Sequence, residues 1–181
     1  MNTPPGSPPQ LATPAGQGGL RELSPAYFGL VMATGIVSLA ADMLGHPLLA
    51  RALLALNAVQ YVVLWVLYVL RAWRYPRRFF GDMVDHARGT GYFTMVAATG
   101  ILASQCIVLL GHVPLGFALW ALAALLWLVL TYTIFTAFTI RRDKPPLDRG
   151  ISGAWLLAVV STQALAVSSA LLAARIGQPL R

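Results

Sequence analysis

Apolar residues run along this chain in long unbroken blocks. Asp, Glu, Lys and Arg are absent from residues 23–41, 52–70, 89–140 and 150–174. A helix of about 20 apolar residues crosses a bilayer core, so three of these blocks hold one span each and the longest holds two. The pattern predicts helices at about 26–44, 48–73, 91–110, 115–140 and 153–174, within a transmembrane domain of residues 25–181. Residues 1–24 read differently, with Pro4, Pro5, Pro8, Pro9, Pro14 and a GQGG run at 16–19. That stretch has neither the basic start nor the apolar core of a signal peptide and predicts a disordered cytoplasmic tail.

Two of the spans open on nearly the same words. Residues 27–36 read YFGLVMATGI and residues 92–101 read YFTMVAATGI, with seven of ten positions identical. Each is followed by a similar outer turn, LGHPL at 44–48 and LGHVPL at 110–115. The copied unit is therefore an outward helix, a Gly/His/Pro turn and an inward helix. Successive units enter the membrane in the same direction, which relates them by an axis along the membrane normal. A weaker third copy begins at Gly150 and sets Ser161 opposite Thr34 and Thr99. The fold class is an all-α integral membrane protein, built of parallel-repeat helical hairpins around a central axis.

Composition agrees: 57% of residues are hydrophobic and 10% charged, against roughly a quarter charged in a soluble domain. The net charge of +7 is explained by membrane topology and requires no nucleic acid. Arg71, Arg74, Arg77, Arg78 and Arg88 lie between spans two and three, and Arg141, Arg142, Lys144 and Arg149 between spans four and five. The positive-inside bias makes those loops and the N-terminus cytoplasmic. The same residues admit a second role as a basic vestibule that concentrates anions.

Small and hydroxyl residues gather on the odd spans, and bulky residues such as Tyr61, Trp65, Tyr68, Trp120 and Trp127 on the even ones. This predicts odd helices inside and even helices facing lipid. Gly35 and Gly100, each after a threonine, serve either a close packing seam or a bent, pore-lining helix. Phe28 and Phe93 are either packed aromatics or apolar constrictions on a path. Asp42 lies at an outer helix end, and His46 and His112 lie in turns without a converging ligand set. There is no nucleophile–base pair, paired carboxylate, phosphate loop or Cys-x-x-Cys, so neither an enzyme nor a bound cofactor or metal is expected.

The stretches PAYFGLVMATGIVS at 25–38, GYF at 91–93 leading to TGI at 99–101, and GAWLLAVVSTQ at 153–163 carry a resemblance. They are similar to helices one, three and five of the tellurite-resistance/dicarboxylate transporter family, which includes TehA-like bacterial proteins, fungal malate permeases and the slow anion channels of plant guard cells. The resemblance implies ten helices in five hairpins, odd helices around a central pore, a trimer of such bundles, and passage of anions. Phe28, Thr34, Gly35, Ser38, Phe93, Thr99, Gly100, Ser161 and Thr162 are then pore-lining candidates. The family's occluding phenylalanine belongs to its ninth helix, and no residue here inherits that role.

The function implied is a multi-pass inner-membrane permease or channel for small anions such as C4-dicarboxylates, chloride, nitrate, sulfite or tellurite. Five helices of the expected ten also leave a second expectation: a truncated, non-transporting membrane fragment, or an assembly partner that needs further helices to form a pore.

Overall fold

A computed structural model describes residues 19, 23–83, 85, 88–140 and 153–177, and among them the architecture is all-helical. The elements are α1 (Phe28–Met43), α2 (Pro47–Arg74), α3 (Pro76–Met83), α4 (Phe93–Leu109), α5 (Val113–Ile140) and α6 (Leu156–Ile176). Single 3-10 turns at Pro25–Tyr27, Gly89–Tyr92 and Gly153–Trp155 lead into α1, α4 and α6. The tail expected at 1–24 lies almost wholly outside the described residues.

Two glycines turn the hairpins. Gly45 (φ 81°) and Gly111 (φ 63°) occupy the left-handed region, which costs a residue with a Cβ roughly 1–2 kcal/mol. At the end of α1 the Gly45 N–H donates to the Asp42 carbonyl at 3.0 Å, and the His46 N–H donates to the Ala41 carbonyl at 2.9 Å. These two bonds satisfy carbonyls that the ending helix leaves open. Pro47 then opens α2 where its missing N–H has no intrahelical partner to lose. After α4, His112 Nδ1 accepts the Leu115 N–H at 3.1 Å and caps the start of α5. The two turn histidines thus sit at helix junctions, one capping through its ring and the other through its backbone.

α4 is the centre of the bundle. It packs against α1, α5 and α6 and also touches α2. Of its most apolar 18-residue stretch 83% is buried, against 17–28% in the other four long helices. α1 and α6 flank it, α2 packs outside α1, and α5 packs against both α4 and α6. The first two helical pairs are hairpins, and the odd spans form a row with α4 in the middle.

The bulky residues of the even spans depart from expectation. Tyr61 and Tyr68 are buried, and Trp65 packs with them around Phe28, with ring centroids 5.3–6.2 Å from it. Trp120 and Trp127 turn toward α6, donating to Ser169 Oγ at 2.8 Å and Thr162 Oγ1 at 3.0 Å. A phenol or indole carries a polar atom that hydrocarbon cannot satisfy, so the ring turns toward a partner in the protein. The outward faces of α2 and α5 are mainly aliphatic, with Val59, Val62, Val66, Leu125 and Leu128 exposed, although Tyr132 and Phe135 remain outside.

Close backbone approach fixes the row. A Cβ at Gly100 would stand 3.2 Å from the Ala164 carbonyl oxygen and Cβ of α6. One at Gly35 would overlap the Ile101 side chain and come within 2.9 Å of Asn57 Nδ2. Small residues at such points let membrane helices gain van der Waals contact that lipid cannot replace. Gly100→Leu should therefore lower the thermal unfolding midpoint in detergent, at an overpacking cost of about 1–3 kcal/mol. Gly29→Ala, which meets nothing within 4 Å, should be neutral or slightly stabilising. Equal midpoints for the two variants would remove the close-approach account.

Candidate functional site: a polar seam and a charged end

Inside the bundle a line of neutral polar groups joins α1, α2 and α4. Thr34 Oγ1 donates to Gln60 Oε1 at 3.2 Å, and Ser38 Oγ donates to the Ala50 carbonyl at 2.8 Å. Asn57 Nδ2 donates to Gln105 Oε1 at 2.6 Å. Tyr61 OH and Thr99 Oγ1 lie 3.0 Å apart, and the Thr99 hydroxyl also lies 2.7 Å from the Met95 carbonyl. Ser38, Asn57, Thr99 and Gln105 are fully buried. Asn57 Oδ1 and Gln105 Nε2 lack a hydrogen-bond partner among the described residues. The amide pair is thus joined by one bond and keeps one acceptor and one donor in reserve.

The pore-lining candidates fall into this packing unevenly. Phe28 is buried in the aromatic cluster on α2, and Phe93 is buried at the start of α4. Gly35 lies at the junction of α1, α2 and α4, and Gly100 at the α4–α6 crossing. Thr34, Ser38 and Thr99 hold the bonds given above. On α6 the Ser161 hydroxyl donates to the Ala158 carbonyl at 2.7 Å and is buried, while Thr162 is exposed, accepts from Trp127 and donates to the same carbonyl. The structure brings seven of these residues into direct contact with a neighbouring helix, with Thr162 at the exposed edge of the α5–α6 contact.

Asn57 and Gln60 were not anticipated. Both are amides in the otherwise largely apolar middle of α2, one helical turn apart, and such residues turn inward where they find partners. That spacing was the available signal. Double-mutant analysis tests their role. Asn57→Leu and Gln105→Leu should each destabilise the bundle, with a coupling on the order of 0.5–2 kcal/mol in detergent unfolding. Strict additivity would mean that the bond contributes nothing.

At one end of the bundle the arginines divide. Arg71, fully buried, forms an ion pair with Asp82, whose side chain is 17% exposed; Arg88 reaches the same carboxylate at 3.4 Å. Arg74, Arg77 and Arg78 are exposed. Arg141, Arg142, Lys144 and Arg149 lie outside the described residues. Asp82 is placed by α3, which hydropathy does not register. Phe79 of α3 meets Tyr92 edge-on at 5.5 Å, and Tyr92 OH donates to the Phe79 carbonyl at 3.0 Å. Removing the carboxylate would take its opposite charge away from a buried guanidinium. Asp82→Asn should cost about 3 kcal/mol of stability, and Arg71→Met combined with Asp82→Leu should recover most of it; a silent Asp82→Asn would show that the pair is structurally idle.

Bilayer-length apolar helices packed in same-direction hairpins around one enclosed helix, with neutral polar groups turned inward, define a multi-pass α-helical membrane protein. The chain belongs to the voltage-dependent anion channel family, whose model matches residues 22–181. No curated protein and no solved structure gives a match. The family is one of channels and transporters for small anions, which agrees with the resemblance read from the repeated helices.

Proposed function

We propose that the chain carries small anions across the inner (plasma) membrane, with its N-terminus in the cytoplasm and its path beside the α1–α4–α6 row. One observation carries this reading. The five long helices contain a single carboxylate, Asp42, at the outer end of α1, while neutral hydroxyl and amide groups recur along α1, α2, α4 and α6. A path through such surroundings opposes no anion by fixed negative charge, and polar groups in place of a charged ligand favour passage over retention. Among the described residues no carboxylate is buried within the long helices, which also favours a channel-like mechanism over proton coupling. Thr34, Gly35 and Ser38, with Phe93, Thr99, Gly100, Ser161 and Thr162, are the proposed wall, and Phe28 supports it from behind.

Support for the orientation is the basic excess at the α2–α4 and α5–α6 connections, against Arg51 and His112 at the opposite turns. C4-dicarboxylates, halide, nitrate and tellurite- or sulfite-like oxyanions are the proposed cargo, and a homotrimer of bundles the proposed assembly. Proteoliposomes containing the purified chain should pass chloride, nitrate or malate at least roughly tenfold faster than potassium. Arg141→Glu/Arg142→Glu/Arg149→Glu should lower the anion flux without changing protein insertion. Vesicles no leakier to anions than protein-free controls would end this reading.

A further inference from the structure

Asp82 draws in two of the five arginines at the α2–α4 end and leaves three. Arg74, Arg77 and Arg78 have no acidic side chain at ion-pairing distance among the described residues. With Tyr75 and Pro76 they line one open cavity of about 310 Å³, at the corner where α2 turns into α3. Three exposed guanidinium groups around one cavity suit an anion with several oxygens, because the planar fork matches phosphate geometry.

The place of this corner indicates which phosphate it meets. α2 has 28 residues, and at 1.5 Å per residue it spans about 42 Å, roughly 12 Å more than a bilayer hydrocarbon core. Its last turn, with Trp73 and Arg74, therefore stands at headgroup level. Trp73 is 85% exposed and Phe80 of α3 is 63% exposed, although soluble packing would draw such rings inward. Rings entering the acyl boundary beside arginines at headgroup depth are the arrangement of an interfacial segment. The corner is also held in place, since Phe79 and the buried Met83 seat α3 on the bundle. A site ordered before its ligand arrives loses less entropy on binding.

We propose that the α2–α3 corner binds the phosphate of an anionic phospholipid headgroup through Arg74, Arg77 and Arg78, with Trp73 and Phe80 seated in the adjoining acyl boundary. The test of this site does not depend on transport. Purified chain in detergent, titrated with phosphatidylglycerol or phosphatidylcholine and read by native mass spectrometry, should retain the anionic lipid preferentially. R74Q/R77Q/R78Q should cut that retention by roughly tenfold or more, because each arginine near an anionic surface contributes on the order of a fivefold factor. R51Q, at the other end of α2, should leave it unchanged. Equal retention of both lipids by the wild type, or undiminished retention by the triple variant, overturns the site. Displacement of the lipid by inorganic phosphate at constant ionic strength overturns the lipid assignment and makes a soluble anion the occupant. The wild-type titration decides lipid preference without any variant, so a poorly folding triple variant leaves the proposal open to refutation.

Discussion

A polar atom within a bilayer has to be satisfied by the protein itself, because hydrocarbon offers no hydrogen bonds. Much of this bundle follows from that constraint. Serine and threonine hydroxyls along α4 and α6 return to carbonyls of the preceding turn. Indoles of α5 find hydroxyls on α6, and phenols of α2 turn toward α4 or the chain before α1. What remains to face lipid is largely aliphatic. Packing therefore follows the hydrogen bonds as much as the apolar volume, and α4 is central because it has partners on several sides.

The same constraint explains which parts of the structure were legible beforehand. Five spans and their hairpin order could be read because bilayer thickness imposes a length and the repeat imposes a direction. Thr34 and Thr99 stood out by their recurrence beside glycine, but their bonds to Gln60 and Tyr61 of α2 did not. The orientation of Tyr61 and Trp127 was not legible, because hydropathy treats an aromatic ring as bulk and ignores the one polar atom that finds a partner. Asn57 and Gln60 were hidden by the strongly apolar residues around them. The Arg71–Asp82 pair needed α3, an eight-residue helix too short for a span and visible only as an alternation of charge and ring.

Charge is handled differently at the two depths. In the interior the protein uses neutral hydroxyls and amides, most of them joined by at least one hydrogen bond. At the α2–α4 end it uses arginine, and Asp82 takes the two guanidinium groups drawn toward the bundle. Burying Arg71 without that carboxylate would be far less favourable than leaving it in water. The exposed arginines need no such partner, and their charge is available to whatever lies at the membrane surface. A family of anion channels and transporters has use for both: an interior without fixed negative charge and a positive rim.

The enclosure of α4 also has a temporal side. In chain order α4 follows α1 and α2 and precedes α5 and α6, so it enters the bilayer after the first of these pairs and before the second. Gln105 and Thr99, which bond to α2 residues, can be satisfied at once, whereas the Gly100 face must wait for α6 to arrive. The protein thus places the side-chain bonds of Thr99 and Gln105 toward α2, made earlier, and the close approach at Gly100 toward α6, made later. Synthesis direction is written into the asymmetry of a single helix.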